Sequence, residues 1–284
     1  MISNKINTGL HGLTNIPGDK SISHRSLIIS SISNGICEID NMLMSEDVIH
    51  TMNAFKLMDV RIEEHNQKII VNGNGLNSLK KPKKNIYLGN SGTSARLLTG
   101  LLASQNFNSI IEGDKSLSSR PMKRITSPLK EKMGAMINTT NGCLPIEIIN
   151  TKLVNNEDGI VIDIPSAQIK SGLILAALNT KGKTKIIEKN ITRDHSEIML
   201  EYFNADIDTY RNGDDKIIEI TGKKELKSKN INVPSDLSSA AFFIVASLIN
   251  INSSISLQNV NINPTRNGIL IALERMGAKI NYKN

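Results

Sequence analysis

The residues best placed to do chemistry are hydroxyls, amides and cations that recur where long apolar runs begin. Lys20, Ser21, Ser23 and Arg25 open the run KSISHRSLIISSI; Asn90, Thr93 and Arg96 open NSGTSARLLTGLLA; Ser166 and Gln168 open SAQIKSGLILAAL. If each run is a helix, its start presents free backbone N–H groups and a partial positive charge, and several such starts converging on one point make an anion site. Lys20 and Arg25 alone would suit an exposed first turn. The recurrence of donors at successive starts favours ligand binding over solvation. Two further cations stand at the starts of a second set of helices, Arg120 in SSRP and Arg193 in TRDH, with PTRN (Pro264 to Asn267) a third such start. Ser or Thr in these places reads first as an N-cap. Positive charge at a helix start opposes the dipole, so Arg120 and Arg193 call for a bound phosphate or carboxylate; for Arg193 a neighbouring aspartate would serve as well.

The elements that must hold these groups repeat along the chain. At Met58-Asp59-Val60, Met133-Gly134-Ala135, Phe203-Asn204-Ala205 and Met276-Gly277-Ala278 an apolar helical face runs out and a strand-like residue follows, at a period of about 73 residues. Each triplet closes an amphipathic stretch of helical length: EDVIHTMNAFKLM, MKRITSPLKEKM, HSEIMLEYF and NGILIALERM. The runs named above, joined by SDLSSAAFFIVASLI, are almost wholly apolar, and a helix apolar all round must be buried. KIIVNG, IVIDIP and IIEIT alternate with period two and read as strands. The unit is strand-helix-strand-helix-strand-strand, an α+β architecture of which four copies are counted.

Composition narrows the function. The chain has 284 residues, 39% hydrophobic, or about 46% with glycine, an ordinary globular value that excludes general disorder. Two cysteines, Cys37 and Cys143, give no disulfide framework or CxxC motif, and five histidines (His11, His24, His50, His65, His195) show no HxxxH or HxH spacing, so no metal is expected. The net charge of +7 favours an anionic partner, while 3% aromatic residues offer little stacking surface for single-stranded nucleic acid. Small phosphorylated substrates fit better, with no nucleic acid and no membrane as partners. The densest basic run, KKPKK from Lys80 to Lys84, reads as a solvated loop. The longest apolar stretch, Ala240 to Ile249, falls short of the ~20 residues a membrane span needs. MISNKINTGL lacks the apolar core of a secretory signal, so a cytoplasmic location is expected.

PGDKSISHR, GNSGTSARLL, SLSSRPMKR, SAQIKSG, TRDHSEIML and NPTRNG occur in this order over nearly the whole chain. Together they resemble the 5-enolpyruvylshikimate-3-phosphate synthases, in particular the class bearing GDKSISHR. The resemblance implies the enolpyruvyl transferase fold of repeated βαβαββ units. It also implies transfer of the enolpyruvyl group of phosphoenolpyruvate to the 5-hydroxyl of shikimate 3-phosphate, with release of phosphate, on the route to chorismate and the aromatic amino acids. No metal or organic cofactor is implied, and the full-length form is expected to be a monomer. Carried over by motif, Lys20, Ser21, Arg25, Ser166, Ala167, Gln168 and Arg193 correspond to ligands of shikimate 3-phosphate. Lys20, Gly92, Arg120 and Gln168 correspond to ligands of phosphoenolpyruvate, and Lys20 is the one plausible proton-transfer group among them. Gly92 matters through its missing Cβ, where backbone approaches substrate. Its counterpart is where glyphosate competes, and because many members of this class carry alanine there, glycine implies sensitivity.

The family fold uses six units, so four leave about 146 residues of the pattern unmatched. The resemblance then implies a complete three-unit domain over 15–231 and an incomplete second domain from 1–14 plus 232–284. The family's aspartate base, its lysine-glutamate-arginine cluster and a further arginine belong to the unmatched part, so the chain as given is expected to be inactive by itself. One alternative is a non-catalytic, anion-binding remnant of the fold. Another is a UDP-N-acetylglucosamine enolpyruvyl transferase, whose reactive cysteine precedes an Arg-Pro pair; here Lys115 occupies that place before Arg120-Pro121, with neither cysteine near it in sequence.

Overall fold

The computed structural model of the chain describes residues 8–283; residues 1–7 of the expected second-domain segment lie outside these. The first unit runs β1 (His11–Thr14), α1 (Lys20–Ser31), β2 (Ser33–Asp40), α2 (Glu46–Leu57), β3 (Arg61–His65) and β4 (Lys68–Asn74). The second runs β5 (Ile86–Tyr87), α3 (Gly92–Ala103), β6 (Ser109–Glu112), the short α4 (Lys115–Ser118), α5 (Lys123–Met133), β7 (Met136–Thr140) and β8 (Cys143–Ile149). The third runs β9 (Ile160–Ile162), α6 (Ala167–Ala177), β10 (Lys183–Glu188), α7 (His195–Tyr202), β11 (Asp206–Asn212) and β12 (Asp215–Thr221). There follow β13 (Leu226–Lys227), β14 (Ile231–Asn232), α8 (Leu237–Ile249), β15 (Ser254–Leu257) and α9 (Gly268–Arg275).

The repeated triplets are left-handed helix stops. Asp59, Gly134, Asn204 and Gly277 all have positive φ, between 63° and 95°, a conformation that glycine, asparagine and aspartate adopt most easily. The residue after each folds back onto the last turn: Val60 N donates to Phe55 O, Ala135 N to Leu129 O, Ala205 N to Leu200 O and Ala278 N to Leu273 O, all within 3.0 Å. That closure turns the chain from the second helix of a unit toward its final hairpin.

Pairing within the sheets shows an exchange that periodicity does not reveal. The second and third units each form a four-stranded sheet, in the orders β5-β6-β8-β7 and β9-β10-β12-β11, with the first pair parallel and the others antiparallel. The sheet of the first unit has β2, β4 and β3 in the matching places, but its parallel edge comes from β13 and β14. These strands straddle the expected boundary at 231. β1 pairs instead with β15, parallel and in register from His11 opposite Ser254. The first strands of units one and four have therefore traded places, so the chain crosses between two bodies at two points.

One apolar cluster unites α1, α3 and α6 with the inner faces of the three larger sheets; Ile16, Leu237, Ala240 and Leu270 form a separate small one. α1 can be buried despite its serines because their hydroxyls bond back one turn: Ser23 to Asp19 O, Ser26 to Ile22 O and Ser31 to Leu27 O. α3 and α6 touch backbone to backbone. A Cβ on Gly100 would lie 1.9 Å from Gly172 O, so only glycine permits this approach. Two expectations are corrected. α8 is not buried all round: Leu237 and Ala240 are, but Phe242 is 79% and Ile249 76% exposed, because among the described residues only the small cluster packs against it. Nor do the Ser and Thr residues before the second helices cap them. The N-cap positions of α5, α7 and α9 are Met122, Asp194 and Asn267, none making a side-chain cap bond. Thr192 instead bonds Glu188, and Ser119 bonds Ser116 O.

Candidate functional site

Packing of α3 on α6 brings their N-termini together, and Arg25 ties α1 to the same place. Its Nε donates to Ser196 Oγ on α7 and its Nη2 to Ser171 Oγ on α6, both at 2.7 Å, while Nη1 reaches Ser21 O at 2.9 Å. Between these helix starts opens a cavity of about 370 Å³, lined by Ser21, Arg25, Thr93, Pro165, Ser166, Ala167, Gln168, Thr192, Arg193, His195 and Thr265. Two arginines and several hydroxyl and amide donors face it, and no carboxylate does. That composition suits an anion carrying hydroxyl groups.

The caps sharpen the electrostatics. Ser91 and Ser166 cap α3 and α6 through Ser94 N and Ile169 N; a neutral hydroxyl satisfies one N–H and leaves the positive helix end uncompensated. Asp19 and Asp236 cap α1 and α8. Their negative charges are answered in turn by Arg266, at 2.7 Å from Asp19 and 3.6 Å from Asp236. Arg193 makes no ion pair among the described residues, and its one side-chain bond runs from Nη1 to Ser21 Oγ at 3.3 Å. Partial burial and the Arg266 charge hold its pKa below the usual arginine value. Asp19 and Asp236 attract it at longer range without pairing with it, and it faces the open cavity.

The expected residues fall into three groups. Ser21, Arg25, Ser166, Ala167, Gln168 and Arg193 share the cavity wall. Gly92 and Arg120 lie together beside it: a Cβ on Gly92 would be 2.8 Å from Arg96 Nη1 and 3.0 Å from Arg120 Nη1. Arg120 donates to Asn90 Oδ1, and Arg96 donates to Gln168 Oε1 at 2.9 Å while Gln168 Nε2 donates to Thr93 Oγ1. Lys20 stands apart from the cavity lining. Its half-exposed ammonium pairs with Asp47 at 3.2 Å.

Sequence reasoning missed several groups here. His195 lines the cavity, and burial together with Arg25 lowers its pKa to about 4, so it faces the cavity as neutral imidazole at pH 7. Beneath the cavity Lys170 is fully buried between Glu188 and Glu197, 2.8 Å from each, and Lys216 bonds Glu197. A single charged residue, Lys170, in the largely apolar SAQIKSGLILAAL was the available signal, since a buried charge demands a partner. Cys143, remote in sequence from Arg120-Pro121, lies close in space, with Sγ 3.8 Å from Ser119 O, because β8 begins against the connection from α4 to α5. No group of three or more His, Cys, Asp or Glu side chains among the described residues could hold a metal ion, and no described helix is long and apolar enough to cross a membrane.

Residues 5–284 match the family profile of EPSP synthase (3-phosphoshikimate 1-carboxyvinyltransferase). The 3-phosphoshikimate 1-carboxyvinyltransferase of Leuconostoc citreum is 47% identical over 275 residues, covering 96% of this chain and 62% of the relative. That of Ruthia magnifica is 47% identical over 282 residues, covering 99% and 63%. The EPSP synthase structure from Acinetobacter baumannii superposes with a TM-score of 0.90 at 42% identity, over 98% of this chain and 62% of that one. The chain thus spans about 62% of the length of these relatives. On the family match over residues 5–284, these identities and the superposition, the chain belongs to the EPSP synthase family.

Proposed function

We propose that the protein carrying this chain transfers the enolpyruvyl group of phosphoenolpyruvate to the 5-hydroxyl of shikimate 3-phosphate, releasing phosphate, on the way to chorismate. The observation that carries the reading is the cavity at the starts of α1, α3 and α6: cationic, rich in hydroxyl and amide donors, free of carboxylates, and lined by residues from five of the six motifs. In this reading Ser21, Arg25, Ser166, Ala167, Gln168 and Arg193 hold shikimate 3-phosphate. Gly92, Arg120 and Gln168 border phosphoenolpyruvate, and Lys20 serves both substrates and carries the proton. For that task Lys20 must leave Asp47, which costs little because an exposed ion pair contributes about 0–1 kcal/mol. Neither metal nor organic cofactor takes part. Residues 15–231 form the complete three-unit domain, and 1–14 with 232–284 belong to the second; that Leu237, Ala240 and Leu270 form an apolar cluster apart from the main one supports a second body, although Ile16 joins theirs and Val233 the main one. The protein works in the cytoplasm as a monomer on small anionic substrates.

The cavity has binders and no acid-base carboxylate, so the 284-residue chain assayed alone should bind substrate without turnover. The decisive experiment joins this chain to the remaining length of the Leuconostoc citreum relative and follows phosphate release. Release that requires both substrates and is lost in Lys20→Ala supports the proposal. A folded chimera that releases no phosphate refutes it.

A further inference from the structure

Lys170 is a charged group that the proposed function does not use, and it is fully buried in α6, one turn along from Ser166 at the cavity wall. Its ammonium has three acceptors: Glu188 Oε2 and Glu197 Oε1, each at 2.8 Å, and the backbone carbonyl of Thr192 at 3.5 Å. The other carboxylate oxygen of Glu188 accepts the hydroxyl of Thr192. Glu197 is shared with Lys216 at 3.0 Å, so two lysines balance two glutamates. Such a buried pair adds little net stability, because desolvation offsets the attraction and apolar side chains of similar volume often serve as well or better. What this network does is fix Thr192.

Thr192 lies in the connection from β10 to α7, one residue before Arg193, and both line the cavity. The ends of this connection are held, Lys189 by Asp215 at 2.6 Å and Asp194 by Asn263 at 2.7 Å. Between them, among the described residues, no backbone–backbone hydrogen bond involves residues 190–193. The side-chain bonds there are those of Thr192 to Glu188 and Lys170, and the 3.3 Å bond of Arg193 to Ser21. A stretch of chain without ladder bonds keeps its conformational freedom unless it is tied, and freedom lost on binding weakens the binding. Thr192 is tied through both its carbonyl and its hydroxyl. We infer that Lys170 and Glu188, neither of which lines the cavity, are positioning residues for Arg193: through Thr192 they hold the backbone that aims its guanidinium before any ligand arrives. The inference rests on the proposed function, in which Arg193 binds shikimate 3-phosphate.

A double-mutant cycle on the 284-residue chain tests it, read as shikimate 3-phosphate affinity by isothermal titration. Lys170→Met combined with Glu188→Leu removes both ties at similar volume. Lys216 keeps Glu197 paired, so no buried charge is orphaned and thermal unfolding should stay cooperative. This pair should weaken binding at least about fivefold, and Arg193→Ala alone at least about tenfold. Added to the pair, Arg193→Ala should cost less than about threefold more, since a guanidinium no longer aimed has little left to lose. Full affinity in the pair variant, or an undiminished Arg193→Ala effect within it, as a role in stability alone would give, would overturn the inference. A second measurement needs neither ligand nor substitution: by NMR relaxation the Thr192 methyl group should be as ordered in the free chain as that of the buried Thr99. A mobile Thr192 methyl would also overturn it. If the unaltered chain binds no shikimate 3-phosphate, the proposed function fails, and the methyl measurement alone then decides whether Thr192 is held.

Discussion

Truncating Arg25 and truncating Lys20 should have very unequal consequences for stability, although the two residues share a motif. Arg25 is 3% exposed and donates three hydrogen bonds, two of which join α1 to α6 and α7 while the third returns to Ser21 O within α1. Bonds from a charged donor contribute about 1.5–3 kcal/mol each. Against them stands burial of the guanidinium, which pushes its pKa down to about 10, an opposing cost of about 3 kcal/mol. The serine hydroxyls left behind keep each other and Ala167 O as partners, so the net loss on Arg25→Ala is about 2–5 kcal/mol. At 2–4 °C per kcal/mol for a body of this size, the melting temperature should fall by roughly 5–15 °C. Lys20→Ala removes one exposed pair with Asp47 and should change it by no more than about 3 °C. Thermal unfolding of both variants beside the unaltered chain decides the matter. Equal melting temperatures would show that Arg25 does not tie the helices together, and a weakened ligand affinity in Arg25→Ala could then be assigned to lost contact alone.

Gly100→Ala should destabilise the chain by at least about 3 kcal/mol in urea unfolding, since its Cβ would meet Gly172 backbone that cannot swing aside, whereas Gly268→Ala, whose Cβ meets nothing, should be tolerated. Burial lowers the pKa of His24 to about 3 and of His195 to about 4. Their neutral forms therefore support the fold above the unfolded value of 6.5, and this support is lost as pH falls toward 4, by about 2 kcal/mol per histidine at pH 5; urea titrations at pH 7 and pH 5 that gave equal stability would contradict it. In the chimera, Gly92→Ala should displace the Arg96 and Arg120 guanidinium ends, reducing glyphosate inhibition more than the affinity for phosphoenolpyruvate. Equal loss of both, or of neither, would count against a pocket-edge role for Gly92.

What the sequence disclosed of the fold was what local chemistry decides. Helix starts were visible because Asp19, Ser91, Ser166 and Asp236 cap them from the neighbouring position, and helix ends because Asp59, Gly134, Asn204 and Gly277 tolerate positive φ. The exchange of β1 for β13 and β14 was invisible, since which edge a short strand joins depends on where the chain returns more than 190 residues later. Likewise Arg25 could be named from its motif, but Ser171 and Ser196, which hold it, are set by the packing of α6 and α7. Uniform hydrophobicity made α8 resemble the buried α3 and α6; apolar composition states a need for cover without supplying it. Arg96 was legible as a donor at a helix start, yet its bond to Gln168 arises only because Gly100 and Gly172 let two helices touch.

The central claim is that the cavity at the three helix starts is built for shikimate 3-phosphate, with Arg193 its uncompensated cation. Isothermal titration of shikimate 3-phosphate into the 284-residue chain tests it without need of turnover. Saturable binding at one equivalent is predicted, weakened at least about tenfold in Arg193→Ala at unchanged melting temperature. No binding by the folded chain, or equal affinity in the two proteins, would contradict the account.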